Sequence, residues 1–463
     1  MIGLSSRLAL SRLTTNRSGL DALAVLAFAV TSWLSLTVAG GTWMFVERAA
    51  HPPEEFAAFV AATTPFSSPN DVARYYVFLA IIACSVLIIP ILTLGGAAAR
   101  LGASGRSRRL AALRLLGMTG TEVVLMSAIE SVVLSILGIL IGALLFAVTL
   151  PAWSLVTFQL VPIEPSEMVM PLWLAFLVAG VIVILAALST LVGLRRVRIS
   201  PLGVARRTTT PKLAGWRVVA LVIAAGLFLL VTQDFDFLNS DLMGILIPAL
   251  FIALLLLAIS VVGPFVIQLG SRPLARTSNP ATLIAARRLT NSPKAAWRNV
   301  AAIAVVALIA TWSTILTASA LPTDDVGSLS VRDVHTGTLI TLAIGFVLAG
   351  SSTLINQASL AVDQGEQLIA LARIGTPRRV FGRARMIQVA YPIILTFALA
   401  MPVGALMSYP FTTYSGEPLT LTFEPFVDLA IIIAAGVALT LLAAWACRPI
   451  ETKILTADYR PND

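Results

Sequence analysis

Ile136-Leu137-Gly138-Ile139-Leu140-Ile141-Gly142-Ala143-Leu144-Leu145-Phe146-Ala147-Val148 is the middle of an apolar run, Val123–Leu150, whose only charge is Glu130. A hydrocarbon core about 30 Å thick needs roughly 20 apolar residues in a helix, and this run exceeds that length. Nine further runs follow the same pattern: Leu20–Val46, Tyr75–Ala99, Pro171–Leu194, Val218–Thr232, Leu242–Leu269, Val300–Leu321, Thr338–Leu360, Ile387–Ser408 and Phe426–Cys447. The shortest is Val218–Thr232. The runs are continuous and do not alternate over ten-residue strands, which excludes an outer-membrane barrel. The expected fold is an all-α polytopic membrane protein with ten transmembrane helices.

Composition agrees. Of 463 residues, 58% are hydrophobic and 12% charged, and the mean hydropathy is +0.92. Soluble domains are about 45–50% apolar and about 25% charged, so a soluble enzyme or a disordered chain is excluded. Two cysteines, Cys84 and Cys447, both within or at the end of apolar runs, cannot form a disulfide scaffold. The run Leu20–Val46 is too long for a signal-peptide core of 7–15 residues and reads as a retained first span.

Orientation follows from the basic residues. Segments 1–19, 100–121, 195–217, 270–298, 361–386 and 448–463 hold 29 of the 32 Lys and Arg residues, leaving Arg48, Arg74 and Arg332 on the opposite side. Fifteen of the 23 acidic residues lie on that opposite side, among them Glu54, Glu55, Asp325 and Asp428. Both termini are therefore expected in the cytoplasm of a cell-membrane protein. The net charge of +9 is read as topology and anchoring to anionic lipid, not as nucleic-acid binding.

The chain repeats itself. Arg12-Leu13-Thr14 and Arg288-Leu289-Thr290 each precede a polar turn and a span carrying a tryptophan, Trp33 or Trp312. Leu110-Ala111-Ala112-Leu113-Arg114-Leu115-Leu116-Gly117 pairs with Leu368-Ile369-Ala370-Leu371-Ala372-Arg373-Ile374-Gly375, and Gly142-Ala143-Leu144 with Gly404-Ala405-Leu406. This implies two parallel four-span units joined by a two-helix linker, related by an axis along the membrane normal. The expected organisation is a cytoplasmic amphipathic helix over 1–19 and a first unit over 20–194. A linker with spans five and six covers 195–279, a second surface helix and unit 280–447, and a cytoplasmic tail 448–463.

Catalytic material is scarce. His51 and His335 fall outside any Glu-x-x-His pattern, so no metal site is expected, and no catalytic residue is assigned. Lys212, Lys294 and Lys453 follow Pro211, Pro293 and Thr452, so no Gly-Lys-Ser/Thr phosphate loop exists and the chain is not expected to be an enzyme. Glu130, about two turns inside its span, reads as a hydrogen-bonded structural carboxylate. The matched cytoplasmic loops, Arg100–Thr121 and Ala361–Met386, mix arginines with apolar residues. They suit docking of a soluble partner twice, by symmetry.

At these residues the chain resembles the FtsX-like permease family, the membrane subunits of MacB-type ABC transporters. The likeness rests on Ala111 through Thr119 followed by a span with Glu130 near its start and Gly138 and Gly142 in its body. The second copy matches more loosely, with Gln388 at the place of Glu130 and Pro377 at that of Thr119. The resemblance covers about 360 residues and implies a cytoplasmic ABC ATPase subunit, two copies per chain, carrying the ATP and magnesium; this chain would hold no cofactor itself. Docking would fall on Arg108, Arg109, Arg114, Leu115, Leu116, Gly117, Met118, Leu371, Arg373, Ile374, Gly375 and Arg378. The ten-span arrangement is similar to bacitracin-resistance permeases, without their large outer domain between spans seven and eight: Leu321–Gly337 is 17 residues long. Without an ectodomain, a hydrophobic or amphipathic substrate (an antibiotic, antimicrobial peptide, haem or lipid) would be met in the membrane for export, with Trp33 and Trp312 as candidate flanks of a cleft. The alternative is a mechanotransmission or signalling module acting on a cell-wall hydrolase or sensor kinase, which the short outer loops disfavour. An excess of arginine, 29 to three lysines, suits a GC-rich bacterium such as an actinobacterium.

Overall fold

The computed structural model describes residues 19–64, 68–104, 119–198, 215–232, 242–319, 325–363, 365–413, 422–449 and 452. The expected N-terminal surface helix, except Gly19, the docking candidates Arg108, Arg109, Arg114, Leu115, Leu116, Gly117 and Met118, and nearly all of the C-terminal tail lie outside them.

The described chain is an all-α membrane protein. In order, α1 is Gly19–Ala50, α2 Glu54–Thr63, α3 Pro69–Ser104, α4 Gly120–Thr149, α5 Leu172–Arg198, α6 Trp216–Thr232 and α7 Leu242–Leu274. Then follow α8 Pro280–Asn291, α9 Pro293–Ser319, α10 Val326–Asp363, α11 Gly365–Arg373, α12 Arg378–Thr413 and α13 Glu424–Trp445. A 3-10 helix, Leu150–Leu155, and a two-residue hairpin, β1 Thr157–Phe158 with β2 Val161–Pro162, connect α4 to α5.

Each of the ten apolar runs falls on a helix, and among the described residues seven helical segments are long and apolar enough to cross a membrane: those in α1, α4, α5, α7, α10, α12 and α13. The other three fall short for visible reasons. In α9, Pro293–Ala301 and Ile303–Ser319 meet at 44°. The α3 helix carries Pro90 in its interior, where the missing N–H breaks the ladder, and α6 has only 17 residues. Several helices also overshoot the apolar runs. Arg332 and His335, expected in an outer loop, lie on α10, and the loop after span one contains α2. Polar residues at a span's end keep their helical hydrogen bonds while projecting beyond hydrocarbon, so hydropathy alone ends the helix too early.

Residues 1–207, 351–375 and 446–463 form one compact unit, and 208–350 with 376–445 a second. In the first, α1 packs against both α3 and α4, and α5 closes on α3 and α4. Small residues permit this closeness: a Cβ on Gly142 of α4 would lie 2.6 Å from both Ala29 O and Ser32 Cβ of α1. On α3, a Cβ at Gly95 would lie 2.9 Å from Leu185 Cδ2 of α5. Hydroxyls along α1 turn back onto their own helix; Thr31 Oγ1 donates to Ala27 O (2.7 Å) and Thr37 Oγ1 to Trp33 O (2.9 Å). That satisfies them without a partner helix.

In the second unit, Phe228, Leu255, Ile259, Val262, Leu308 and Ile393 centre a core built from α6, α7, α9 and α12. The fifth and sixth apolar runs, on α6 and α7, therefore pack as part of a bundle. At the start of the α8 helix Asn279 caps it, accepting from Ala281 N at 3.0 Å, with Pro280 in the first turn. Its Ala281 and Ala285 lie on Ala384 of α12. Gly404 of α12 abuts Leu308 O and Thr311 of α9, and Gly350 of α10 faces Leu439 of α13, whose Cγ would be 3.4 Å from an added Cβ.

Candidate functional site

The described part of the second candidate docking loop begins with α11. Gly365 and Leu368 are buried, while Ala370 and Arg373 are exposed, so this nine-residue helix is two-faced. It ends when Ile374 N donates to Ala370 O (3.2 Å) and Gly375 N to Ala372 O (3.0 Å). Gly375 has φ +93°, a left-handed conformation that glycine adopts freely and that ends helices. The turn leaves Ile374 82% exposed. Leu371 is half-buried; Arg378, Arg379 and Arg383 on the first turns of α12 are exposed. An isoleucine this bare, with arginines before and after it, is costly in water and useful in a contact.

Deeper along α12, Arg385 is almost fully buried and donates from Nη1 to Ala444 O at 3.2 Å. It places a cation against the last carbonyls of α13, where the helix dipole favours it. This residue was counted among topology-setting arginines, and only its position two turns inside an apolar helix could have singled it out.

The first loop re-enters the described residues at Thr119. Thr119 N donates to Glu122 Oε2 (2.9 Å) and Glu122 N to Thr119 Oγ1 (3.4 Å), a reciprocal capping box at the start of α4. The donation from the Thr119 backbone N–H, then its side chain, holds the Glu122 carboxyl below the usual glutamate range. Two turns on, Glu130 is half-buried beside Ser131, which accepts from Thr190 of α5 at 2.9 Å.

Trp33 and Trp312 are each engaged inside their own unit. Trp33 Nε1 donates to Thr149 Oγ1 of α4 at 3.0 Å, and Trp312 packs, half-buried, against the second unit's core. Both therefore carry packing.

One charged assembly escaped the sequence reading. Arg48, at the end of α1, is 2% exposed. Its Nε and Nη2 donate to Glu167 Oε1 (2.9 Å) and Oε2 (2.7 Å), while Nη1 reaches Phe158 O (2.8 Å) and Nη2 Pro162 O (3.0 Å). The bidentate fork is the geometry arginine is suited for. The available signal was its rarity, as one of only three basic residues expected outside.

No protein-family model matches the chain, and no curated protein matches it.

Proposed function

We propose that the chain is the permease subunit of an ATP-driven transporter of the FtsX-like, MacB-type class, spanning the cell membrane ten times with both termini inside. A separate cytoplasmic ATPase, two copies per chain, supplies the energy, and the cargo is a hydrophobic or amphipathic compound met within the membrane and exported.

The observation that carries this reading is the α11 turn: an almost bare Ile374 and a left-handed Gly375, between exposed Arg373 and Arg378. Its support is the equivalence of the helix crossings. Gly142 meets the residues four and one before Trp33, and Gly404 meets the residues four and one before Trp312. Gly95 faces Leu185 as Gly350 faces Leu439. The paired motifs thus fall on similarly packed helices, as a duplicated unit requires, and a duplicated unit offers two docking loops.

The test is co-purification of the chain with candidate ABC ATPase subunits from the same genome, followed by hydrolysis in lipid. Ile374→Asp together with Leu116→Asp abolishes association, and a hydrophobic compound stimulates the wild-type complex. Retained binding in the double variant refutes the interface. Association with hydrolysis indifferent to any hydrophobic compound, and a cell-shape defect on deletion, would favour the signalling alternative.

A further inference from the structure

The connection from α4 to α5, residues 150–171, differs from an ordinary water-exposed loop. Its inward side chains are fully used: Phe158, Gln159, Ile163, Met168 and Met170 are buried. Its outward ones mix polar residues, Ser154, Thr157, Glu164 and Ser166, with large apolar ones. Leu155 is 86% exposed, Leu160 43%, Val169 59%, and Leu172 at the start of α5 77%. Glu164 is the one exposed charged residue in the segment, since Glu167 is held by Arg48.

Both ends of the segment continue lipid-facing stripes. Along α4 the exposed residues Leu137, Leu140, Leu144 and Val148 form one face that runs on to Leu155. That face lies within the apolar span Val124–Leu155, which ends at Leu155. On α5 the exposed stripe Leu172, Phe176, Ile184 and Leu188 lies within the apolar span Leu172–Leu191, about 30 Å at helical rise, one hydrocarbon thickness. The outer edge of the hydrocarbon therefore passes Leu155 and Leu172, and the segment between them lies along it. Trp153 and Trp173 stand at that level, where amphipathic rings concentrate.

Backbone that enters such a layer needs its polar groups satisfied, and several here have partners. Ile163 N donates to Val156 O (3.0 Å) and Glu164 N to Glu167 Oε2 (3.1 Å), and Arg48 takes up the carbonyls of Phe158 and Pro162. Between those two carbonyls Gln159 and Leu160 sit at φ 56° and 69°, a conformation that non-glycine residues seldom hold without support from their surroundings. The clamp turns Gln159 inward and Leu160 outward.

We propose that residues 150–171 form a membrane-interface plate whose partner is the lipid of the outer leaflet, contacted through Leu155, Leu160, Val169, Leu172 and Trp173. The assignment rests on the proposed topology only for which leaflet it names, and needs no ATPase.

The test uses the unaltered protein in liposomes. Hydroxyl-radical footprinting is read with mass spectrometry, alongside a phospholipid bearing a diazirine in its upper acyl chain. Corrected for intrinsic reactivity, oxidation of Leu155, Leu160 and Leu172 matches that of the mid-span lipid-facing Ile184 and falls well below that of exposed His51, and lipid adducts map to the segment. Oxidation at the His51 level overturns the proposal. Protection without lipid adducts also overturns it, because the cover would then be protein.

Discussion

Gly142→Ala adds one methyl group where α1 and α4 of the first unit cross. The new Cβ would stand 2.6 Å from Ser32 Cβ, 2.6 Å from Ala29 O and 2.8 Å from Trp33 N. Carbon–carbon contacts are comfortable at about 3.5–4.0 Å, so α1 and α4 must part by about 1 Å. Two of the three obstructing atoms are backbone and cannot rotate away, which puts the cost at the upper end of overpacking, about 2–3 kcal/mol. Gly404→Ala meets Leu308 O and Thr311 Cβ and should cost about the same. Gly180→Ala is the control, because nothing lies within 4 Å of a Cβ there; it should be neutral or gain about 0.5–1 kcal/mol from helix propensity. Equilibrium unfolding in mixed micelles, monitored by tryptophan fluorescence, ranks the three. If Gly142→Ala and Gly404→Ala unfold like Gly180→Ala, the helix crossings are not as close as described and the argument for matched units loses its geometric support.

Two further outcomes are expected. Arg48→Met should cost about 2–3 kcal/mol in the same assay, below the about 3–5 typical of broken buried pairs because Glu167 keeps some solvent. Its coupling with Glu167→Gln in a double-mutant cycle should exceed about 0.5 kcal/mol, and strict additivity would show that the fork is not formed. For Glu122 the folded carboxyl titrates below its unfolded value, so the capping box contributes fully above the ordinary glutamate pKa and fades as pH falls through the lowered one. Amide exchange at the start of α4, corrected for intrinsic rates, should therefore rise on acidification in the wild type and stay flat in Glu122→Gln; parallel behaviour in both refutes the linkage.

The apolar runs were readable because a lipid solvent leaves few alternatives to helix: every backbone group must pair within its own segment. So Val123–Leu150 could be placed on α4 to within a few residues, and Val218–Thr232 could be recognised as the weakest run. Helix ends were less legible. His335 was assigned to a loop because its segment is polar, yet it sits buried on α10, where tertiary packing sustains the helix. The duplicated Gly142 and Gly404 were visible as sequence echoes, but only the crossing geometry tells why glycine is there. The pairing of Gly375 with Gly117 was a sequence echo, whereas the bareness of Ile374 depends on which face of α11 is buried. Arg48 was hidden by its use as a topology count: charge tallies treat every arginine as solvated, and this one is bonded to residues more than a hundred positions away.

The helix that follows each proposed docking loop is also a packing hub of its unit, and this decides what a push on the loop would do. In the second unit α12 touches α8 through Ala384, α9 through Gly404 and α13 through Arg385, and it reaches α7 where Tyr391 donates to Gly270 O at 2.6 Å. In the first, α4 holds α1 at Gly138 and Gly142 and α5 through Ser131 and Thr190. Close-packed interfaces of this kind deform little and move as bodies. Displacement delivered at the first turn of α12 would therefore carry several helices together and could not be absorbed in a flexible hinge. Under the proposed function this favours rigid movement of whole units over a local gate, with Arg385 bonding α12 to α13 and Tyr391 bonding it to α7.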